Sequence, residues 1–159
     1  MSRIHSKSKQ PETMIKKKEK HLIGIDPDVD KSGVAFLSGN QLQLDNLTFF
    51  QLFDYFVEMK KKYPDLEVFV ECGFLNKSNW HRKNDQSAAF NAKIGSYTGA
   101  NFETAKKIVE MCEYLKITHY KIKPTASKIT NSYFKQITGY TGQTNQEQRD
   151  AFMLIFGRI

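Results

Sequence analysis

The stretch LIGIDPDVDKSGVAFL, from Leu22 to Leu37, decides the fold that the rest of this sequence predicts. An apolar run ends in Asp26, and a second apolar run begins at Val34 after a polar turn that contains a proline and a glycine. This pattern is typical of two antiparallel strands joined by a tight loop. An ionised Asp beside a hydrophobic core needs a cation or hydrogen-bond donors to hold its charge. We predict that a divalent metal ion fills this role at Asp26.

Length and composition limit the class of protein. The 159 residues suit one domain with a single core, but not the two lobes and phosphate loops of a sugar kinase or actin-like ATPase. No apolar run approaches the roughly 20 residues that span a bilayer. Cys72 and Cys112 lack metal-ligand spacing and are predicted to be reduced thiols. We expect a soluble cytoplasmic protein with no membrane association and no nucleotide cofactor.

The net charge of +7 is concentrated near the N-terminus. Residues 1–21 contain seven Lys and Arg against two Glu, so we predict a flexible basic tail followed by one domain over residues 22–159. A basic tail suits a polyanionic partner such as nucleic acid. The alternative is a disordered arm that only keeps the protein in solution.

Periodicity along the chain predicts an α/β fold in the order β-β-β-α-β-α-β-α-α. After the first two strands, the predicted elements are a strand at 41–44, a helix at 49–62 capped by Thr48, a strand at 66–71, a helix at 87–116, a strand at 118–123, a short helix from Pro124 that carries Lys128 and Lys135, and a helix at 146–156. The long helix is expected to bury a face that runs from Ile94 to Leu115. Gly95 and Gly99 predict a close approach of its backbone to the sheet or to a ligand.

Four carboxylates fall where they can meet at one end of this sheet. Asp26 and Glu71 end two strands, and Glu147 and Asp150 project from one face of the last helix. Neighbouring carboxylates repel each other by about 3–4 kcal/mol per pair at an effective dielectric near 20, and bound cations remove that cost. Oxygen ligands select Mg²⁺ or Mn²⁺, and we predict two ions that serve phosphodiester hydrolysis. The alternative for each of these acids, considered alone, is a structural role as a turn former or as a salt-bridge partner.

Basic and aromatic side chains alternate in residues 74–86, FLNKSNWHRKNDQ. Such a loop can stack on bases while it contacts phosphates. The candidate DNA-binding residues are Phe74, Lys77, Trp80, Arg82 and Lys83, together with Lys128 and Lys135. The alternative is an ordinary surface loop whose Trp80 covers an edge of the core.

Three segments resemble the acidic motifs of the RuvC-type Holliday-junction resolvases, within the ribonuclease H-like superfamily: GIDPD followed by SGVAFL, then VFVECGF, then QEQRDAF. The resemblance runs from about Leu22 to Phe156. It implies a ribonuclease H-like fold with a five-stranded mixed sheet, a three-stranded antiparallel meander plus two parallel strands, flanked by helices. It also implies that the metal ligands and catalytic acids are Asp26, Glu71, Glu147 and Asp150.

The same resemblance implies a magnesium-dependent endonuclease that resolves four-way junctions as a homodimer. Phe74 matches an aromatic residue that probes the strand-exchange point, and Lys128 matches a basic catalytic residue near the scissile phosphate. The Glu/Asp closing pair and the shorter segment between Lys128 and Asp150 depart from the bacterial enzymes, so Lys135 is only a candidate for their second lysine. The small size is similar to phage or viral members. A hydrolase of RNA/DNA hybrids and a non-catalytic DNA-binding module remain as alternatives.

Overall fold

The computed structural model describes residues 18–76 and 87–159. Its strands are β1 (His21–Asp26), β2 (Ser32–Ser38), β3 (Gln41–Leu47), β4 (Glu67–Glu71) and β5 (Thr118–Ile122). Its α-helices are α1 (Phe49–Lys62), α2 (Ala88–Tyr114), α3 (Asn131–Thr138) and α4 (Gln146–Met153). A single 3₁₀ turn, Gly73–Leu75, follows β4. No helix in these ranges is both long and apolar enough to cross a bilayer.

The strands form one mixed sheet in the order β3-β2-β1-β4-β5. β1, β2 and β3 make the antiparallel meander, and β4 and β5 run parallel to β1. The predicted sheet is therefore confirmed. β1 lies in its centre and is apolar on both faces, whereas the edge strand β3 alternates between exposed and half-buried residues.

A separate core covers each face of the sheet. On one face α1 and α2 pack against alternate residues of β1 such as Ile23 and Ile25. On the other face α3 and α4 pack against Leu22 and its neighbours, with Phe134 and Phe152 at the centre. Because successive strand residues point to opposite faces, the continuous apolar run of β1 serves both cores.

Capping side chains fix where two of the helices begin. The Thr48 side chain accepts a hydrogen bond from the Gln51 N–H, and the Gln51 side chain accepts one from the Thr48 N–H. Asn145 and Gln148 form the same reciprocal pair at the start of α4. Each pair satisfies N–H groups that the first helical turn leaves free, so the predicted starts at residues 49 and 146 are confirmed.

Two predicted helix boundaries are wrong. Residues 124–130 are not helical, and α3 begins only at Asn131, because the Thr130 side chain caps it by accepting from the Tyr133 N–H. Lys128 therefore lies on a loop and not on a helix. α4 ends at Met153 and not at residue 156. At this end the Leu154 N–H donates to the Ala151 carbonyl, which tightens the last turn.

The long helix α2 extends beyond the sheet. Its 27 residues span about 40 Å, whereas a strand of six residues spans about 20 Å. Ala105, Ile108 and Cys112 are buried as predicted, but Ile94 is 43% exposed. The apolar residues of α2 recur at the predicted helical spacing, but those in the first half of the helix lie beyond the sheet that would bury them.

The prediction of a close backbone approach at Gly95 and Gly99 is wrong for the protein's own chain. Apart from the adjoining residues and the nearby backbone of the same helix, no heavy atom of residues 18–76 or 87–159 lies within 4 Å of a Cβ placed at either glycine. The tail boundary also shifts slightly, because β1 begins at His21 and Lys18 pairs with Asp65 at 3.1 Å. The rest of the predicted tail lies outside the described residues.

Candidate active site

The parallel pairing of β1 and β4 places two of the predicted acids side by side. Ile25 pairs with Val70, so the next residue of each strand, Asp26 and Glu71, ends its strand at the same edge of the sheet. Both side chains are half-buried. The sequence pattern alone predicted both strand ends, and the register makes the two carboxylates neighbours.

Two glycines allow α4 to lie directly on the strand backbone. A Cβ at Gly24 would stand 1.9 Å from the Ala151 carbonyl oxygen, and a Cβ at Gly33 would stand 2.3 Å from the Glu147 carbonyl oxygen. Gly33 is the β2 partner of Asp26. The helix therefore delivers Glu147 to the strand pair that carries Asp26, and it delivers Asp150 one turn further along. We call the edge that holds Asp26, Glu71, Glu147 and Asp150 the acid edge.

The acids of this edge influence each other electrostatically. Burial, then the charges of Glu71 and Asp150, and to a smaller extent Glu147, raise the pKa of Asp26 to about 8, while Lys128 opposes the shift. Burial also raises the pKa of Glu71. The structure thus brings together the four acids that the sequence singles out. Their roles in metal binding and catalysis stay predictions.

Lys128 supplies positive charge at the acid edge. Its ammonium donates a hydrogen bond to Asp150 Oδ2, and Asp150 is only 8% exposed. Partial burial disfavours the charged lysine, but the hydrogen bond to Asp150 and the charges of Asp26 and Glu71 outweigh burial and raise the pKa of Lys128. On the other side, Gln146 Nε2 donates to Asp150 Oδ1 at 2.8 Å. Both oxygens of this carboxylate therefore accept a hydrogen bond.

The acid edge fits a hard divalent cation in its chemistry. Its donors are carboxylate oxygens, which Mg²⁺ and Mn²⁺ prefer, and the Lys128 ammonium shows that Asp150 already accommodates a cation. Within the described residues, no three Asp, Glu, His or Cys side chains already converge tightly enough to hold one ion. The residues present therefore suit the ion in type and charge, and their arrangement is not a closed cage.

A cleft of about 430 Å³ opens beside Asp26 and Glu71. Its far wall comes from α2, through Thr98, Asn101 and Phe102. Asn101 joins that wall to the turn after β1, since its Oδ1 accepts from the Val29 N–H at 3.0 Å and its Nδ2 donates to an Asp28 carboxylate oxygen at 3.4 Å. Asp26 and Glu71 thus face an open channel between the sheet edge and the long helix.

The predicted DNA-binding residues have different outcomes. Phe74 is half-buried against the core, and the Lys106 ammonium lies 5.7 Å from its ring centroid. Lys135 lies on α3, and no hydrogen bond or ion pair in the described part of the chain joins it to the acid edge. Lys77, Trp80, Arg82 and Lys83 lie outside the described residues. All six stay predictions.

Sequence reasoning missed several residues that shape the site. Gly24 and Gly33 carried a usable signal, because a glycine inside an apolar strand often marks the close approach of another backbone. No sequence signal pointed to Asn101, Gln146 or Arg149. Polar residues are common on helices, and only the hydrogen-bond partners of these three distinguish them. All five act by positioning the acids or the elements around them.

Comparisons with known proteins show the fold. No protein-family model and no curated protein matches the sequence. Among solved structures, the chain is similar to Thermus thermophilus RuvC in complex with a Holliday junction substrate, with a TM-score of 0.53, 13% identity, and coverage of 85% of this chain and 89% of that one. A second Thermus thermophilus RuvC structure gives a TM-score of 0.45 at 11% identity, over 84% and 90% of the two chains. The fold is RuvC-like, and the predicted ribonuclease H-like fold is confirmed.

Proposed function

We propose that this protein is a metal-dependent endonuclease that cuts branched DNA, with the four-way junction as its substrate. The observation that carries the proposal is the acid edge itself, where Asp26 meets three further carboxylates and the Lys128 ammonium beside an open cleft. The similar Thermus thermophilus structure holds a Holliday junction, which supports this class of substrate.

Each residue of the acid edge has a proposed role. Asp26, Glu71, Glu147 and Asp150 would hold two Mg²⁺ or Mn²⁺ ions. When bound, the ions supply Lewis-acid stabilisation of charge on phosphate oxygens and lower the pKa of water. Lys128 is 56% exposed and already reaches the acids, so its ammonium can donate to a phosphate oxygen as negative charge develops there.

The proposed enzyme is a homodimer, because a junction with two equivalent strands calls for two sites related by a two-fold axis. Exposed apolar residues of α2 support this state. Phe90, Ile94 and Tyr97 are 46%, 43% and 57% exposed and lie on one face of the helix, which we call the α2 stripe. Lys93 is the only charged residue between 88 and 102, so this surface suits a protein partner better than a phosphate backbone.

The decisive experiment compares Asp26→Asn with Asp54→Asn, the same change at an exposed position on α1. Cleavage is mapped on a mobile synthetic four-way junction in Mg²⁺ and in Mn²⁺, with binding measured separately in Ca²⁺. We expect Asp26→Asn to lose roughly a thousandfold or more in cleavage rate while it still binds the junction, because the change removes an ion ligand. Asp54→Asn should match the wild type. A fully active Asp26→Asn protein would defeat the proposal.

The same assay separates the alternatives. Linear, flap and RNA/DNA hybrid substrates are tested beside the junction, because a hydrolase of hybrids would use the same four acids. Mg²⁺ is also titrated into the protein alone, since an ion that binds only the folded state raises its melting temperature. A protein that binds the junction but shows neither cleavage nor stabilisation by Mg²⁺ or Mn²⁺ would be a non-catalytic binding module.

A further inference from the structure

The Arg149 guanidinium connects the loop before α3 with the start of α4, beside the acid edge. Its Nε donates to the Ile129 carbonyl at 3.1 Å. One terminal nitrogen donates to the Thr144 carbonyl at 3.0 Å and to the Thr144 hydroxyl at 2.9 Å. The other donates to Gln146 Oε1 at 2.8 Å. One half-buried side chain therefore makes four hydrogen bonds within a few residues of Asp150.

The contact with Gln146 decides which way its amide points. Because Arg149 can only donate, the oxygen of the amide must face it and the NH₂ group must face away. That NH₂ group donates to Asp150 Oδ1 at 2.8 Å. Arg149 thus acts on one oxygen of Asp150 through Gln146, although it does not touch the carboxylate.

The contact between Arg149 and Ile129 affects the other oxygen of Asp150, through Lys128. Ile129 directly follows Lys128, whose ammonium donates to Asp150 Oδ2. The loop of residues 123–130 has no helical hydrogen bonds to fix it, so the bond from Arg149 to the Ile129 carbonyl, together with the packing of Ile129 against the core, restrains where Lys128 stands. The two branches from Arg149 therefore converge on the two oxygens of one carboxylate.

We propose that Arg149 is a positioning residue that sets the orientation of the Asp150 carboxylate and the reach of Lys128. The inference rests on the proposed function, in which Asp150 is an ion ligand. Hydrogen bonds to a ligating carboxylate fix its direction, and the loss of such an outer partner typically costs 10–100-fold in metal affinity. Lysine cannot replace Arg149, because only the planar guanidinium fork can bond to Ile129, Thr144 and Gln146 at once.

A purely structural role is the competing explanation, since Arg149 also ties down the start of α4. Gln148 provides the matched control. Its side chain accepts from the Asn145 N–H at 3.2 Å in the reciprocal cap of α4, with no contact to Asp150 in the described residues. Gln148→Ala therefore loosens the same helix start and leaves the two branches intact.

The experiment uses four variants of the full chain: Arg149→Lys, Gln146→Ala, the double variant and Gln148→Ala. Mn²⁺ is titrated into each without DNA, and the concentration that gives half of the thermal stabilisation is measured. The Mg²⁺ concentration for half-maximal junction cleavage is measured in parallel. Arg149→Lys and Gln146→Ala should each raise the required metal concentration by about 10–100-fold, and Gln148→Ala should lower only the melting temperature.

The double variant tests whether Arg149 acts through Gln146. We expect its metal requirement to be no higher than that of Arg149→Lys alone, because two changes along one path do not add. Fully additive effects, or an Arg149→Lys protein with the metal requirement of Gln148→Ala, would overturn the inference. If Arg149→Lys does not fold, an unchanged metal requirement in Gln146→Ala overturns it instead. A wild-type protein that Mn²⁺ does not stabilise would refute the proposed function as well.

Discussion

The helices α2 and α4 meet the sheet in opposite ways. α4 has eight residues, and its main chain lies against Gly24 and Gly33. α2 has 27 residues, and its glycines, Gly95 and Gly99, contact nothing else in the described part of the chain. The short helix is held by backbone contact, and it carries two of the proposed catalytic acids. The long helix extends past the sheet, and it offers a surface.

This contrast assigns different requirements to the two helices. A catalytic group must be held within a fraction of an ångström, which direct contact between helix and strand backbones provides. A surface for a partner must instead be accessible, which α2 achieves because it is longer than the strands. Substitutions in the two helices should therefore have effects of different kinds and sizes.

The largest effect is expected where α4 touches the sheet. Gly24→Ala would place a methyl group inside the Ala151 carbonyl, so α4 must move or the variant must unfold. We expect a loss of about 3 kcal/mol or more in the free energy of unfolding, measured by urea denaturation, and a loss of junction cleavage. Gly33→Ala should behave in the same way. A Gly24→Ala protein as stable as the wild type would show that α4 does not pack as described.

The next effect concerns the pKa of Asp26, which burial and the neighbouring acids of β4 and α4 raise. Burial and the neighbouring acids raise the pKa of this carboxyl from its ordinary value of 3.8 to about 8 in the folded protein, so without metal it binds a proton that the unfolded chain has released. Stability should therefore fall as the pH rises from about 4 to 8. In EDTA, we expect the melting temperature to drop by about 5 °C more between pH 5 and pH 8 in the wild type than in Asp26→Asn.

Mg²⁺ tests the origin of that pH effect. Because a cation favours the ionised carboxylates, saturating Mg²⁺ should remove most of the difference between pH 5 and pH 8 in the wild type. Asp54→Asn serves as the control and should retain the wild-type pH dependence. Equal pH dependence in Asp26→Asn and the wild type would contradict the electrostatic coupling at the acid edge.

A moderate effect is expected on the α2 stripe. Ile94→Glu places a charge in the proposed dimer surface, whereas Tyr114→Glu places one at a residue that is 77% exposed on the packed half of the same helix. By light scattering, Ile94→Glu should be monomeric at concentrations where the wild type and Tyr114→Glu are dimers. The monomer should nick only one strand of a junction at a time. A dimeric Ile94→Glu protein would place the partner surface elsewhere.

The smallest effect is expected at the glycines of α2. Gly95→Ala and Gly99→Ala meet no atom of the described residues and remove the entropic cost of glycine in a helix, so each should raise the free energy of unfolding by up to about 1 kcal/mol. Both glycines lie off the α2 stripe, so dimer formation and cleavage should be unchanged. Destabilisation of either variant would mean that a neighbour approaches these glycines closely.

The sequence predicted most of the architecture because the relevant signals are local. Apolar alternation, the capping pairs at Thr48 and Asn145 and the order of the elements each depend on residues within a few positions of one another. The acids at the ends of β1 and β4 were visible for the same reason. The predicted helix from Pro124 failed because the Thr130 side chain caps α3 six residues later.

The sequence by itself determined the strands, most of the helix boundaries and the four acids that stand at the ends of β1 and β4 or on α4. Only the tertiary structure decided that α4 lies on Gly24 and Gly33, that Lys128 pairs with Asp150, that Arg149 joins the loop before α3 to the start of α4 and that half of α2 extends past the sheet. These features depend on distances between residues far apart in the chain. A local pattern carries no information about them, since periodicity and caps are set within a single helix or strand.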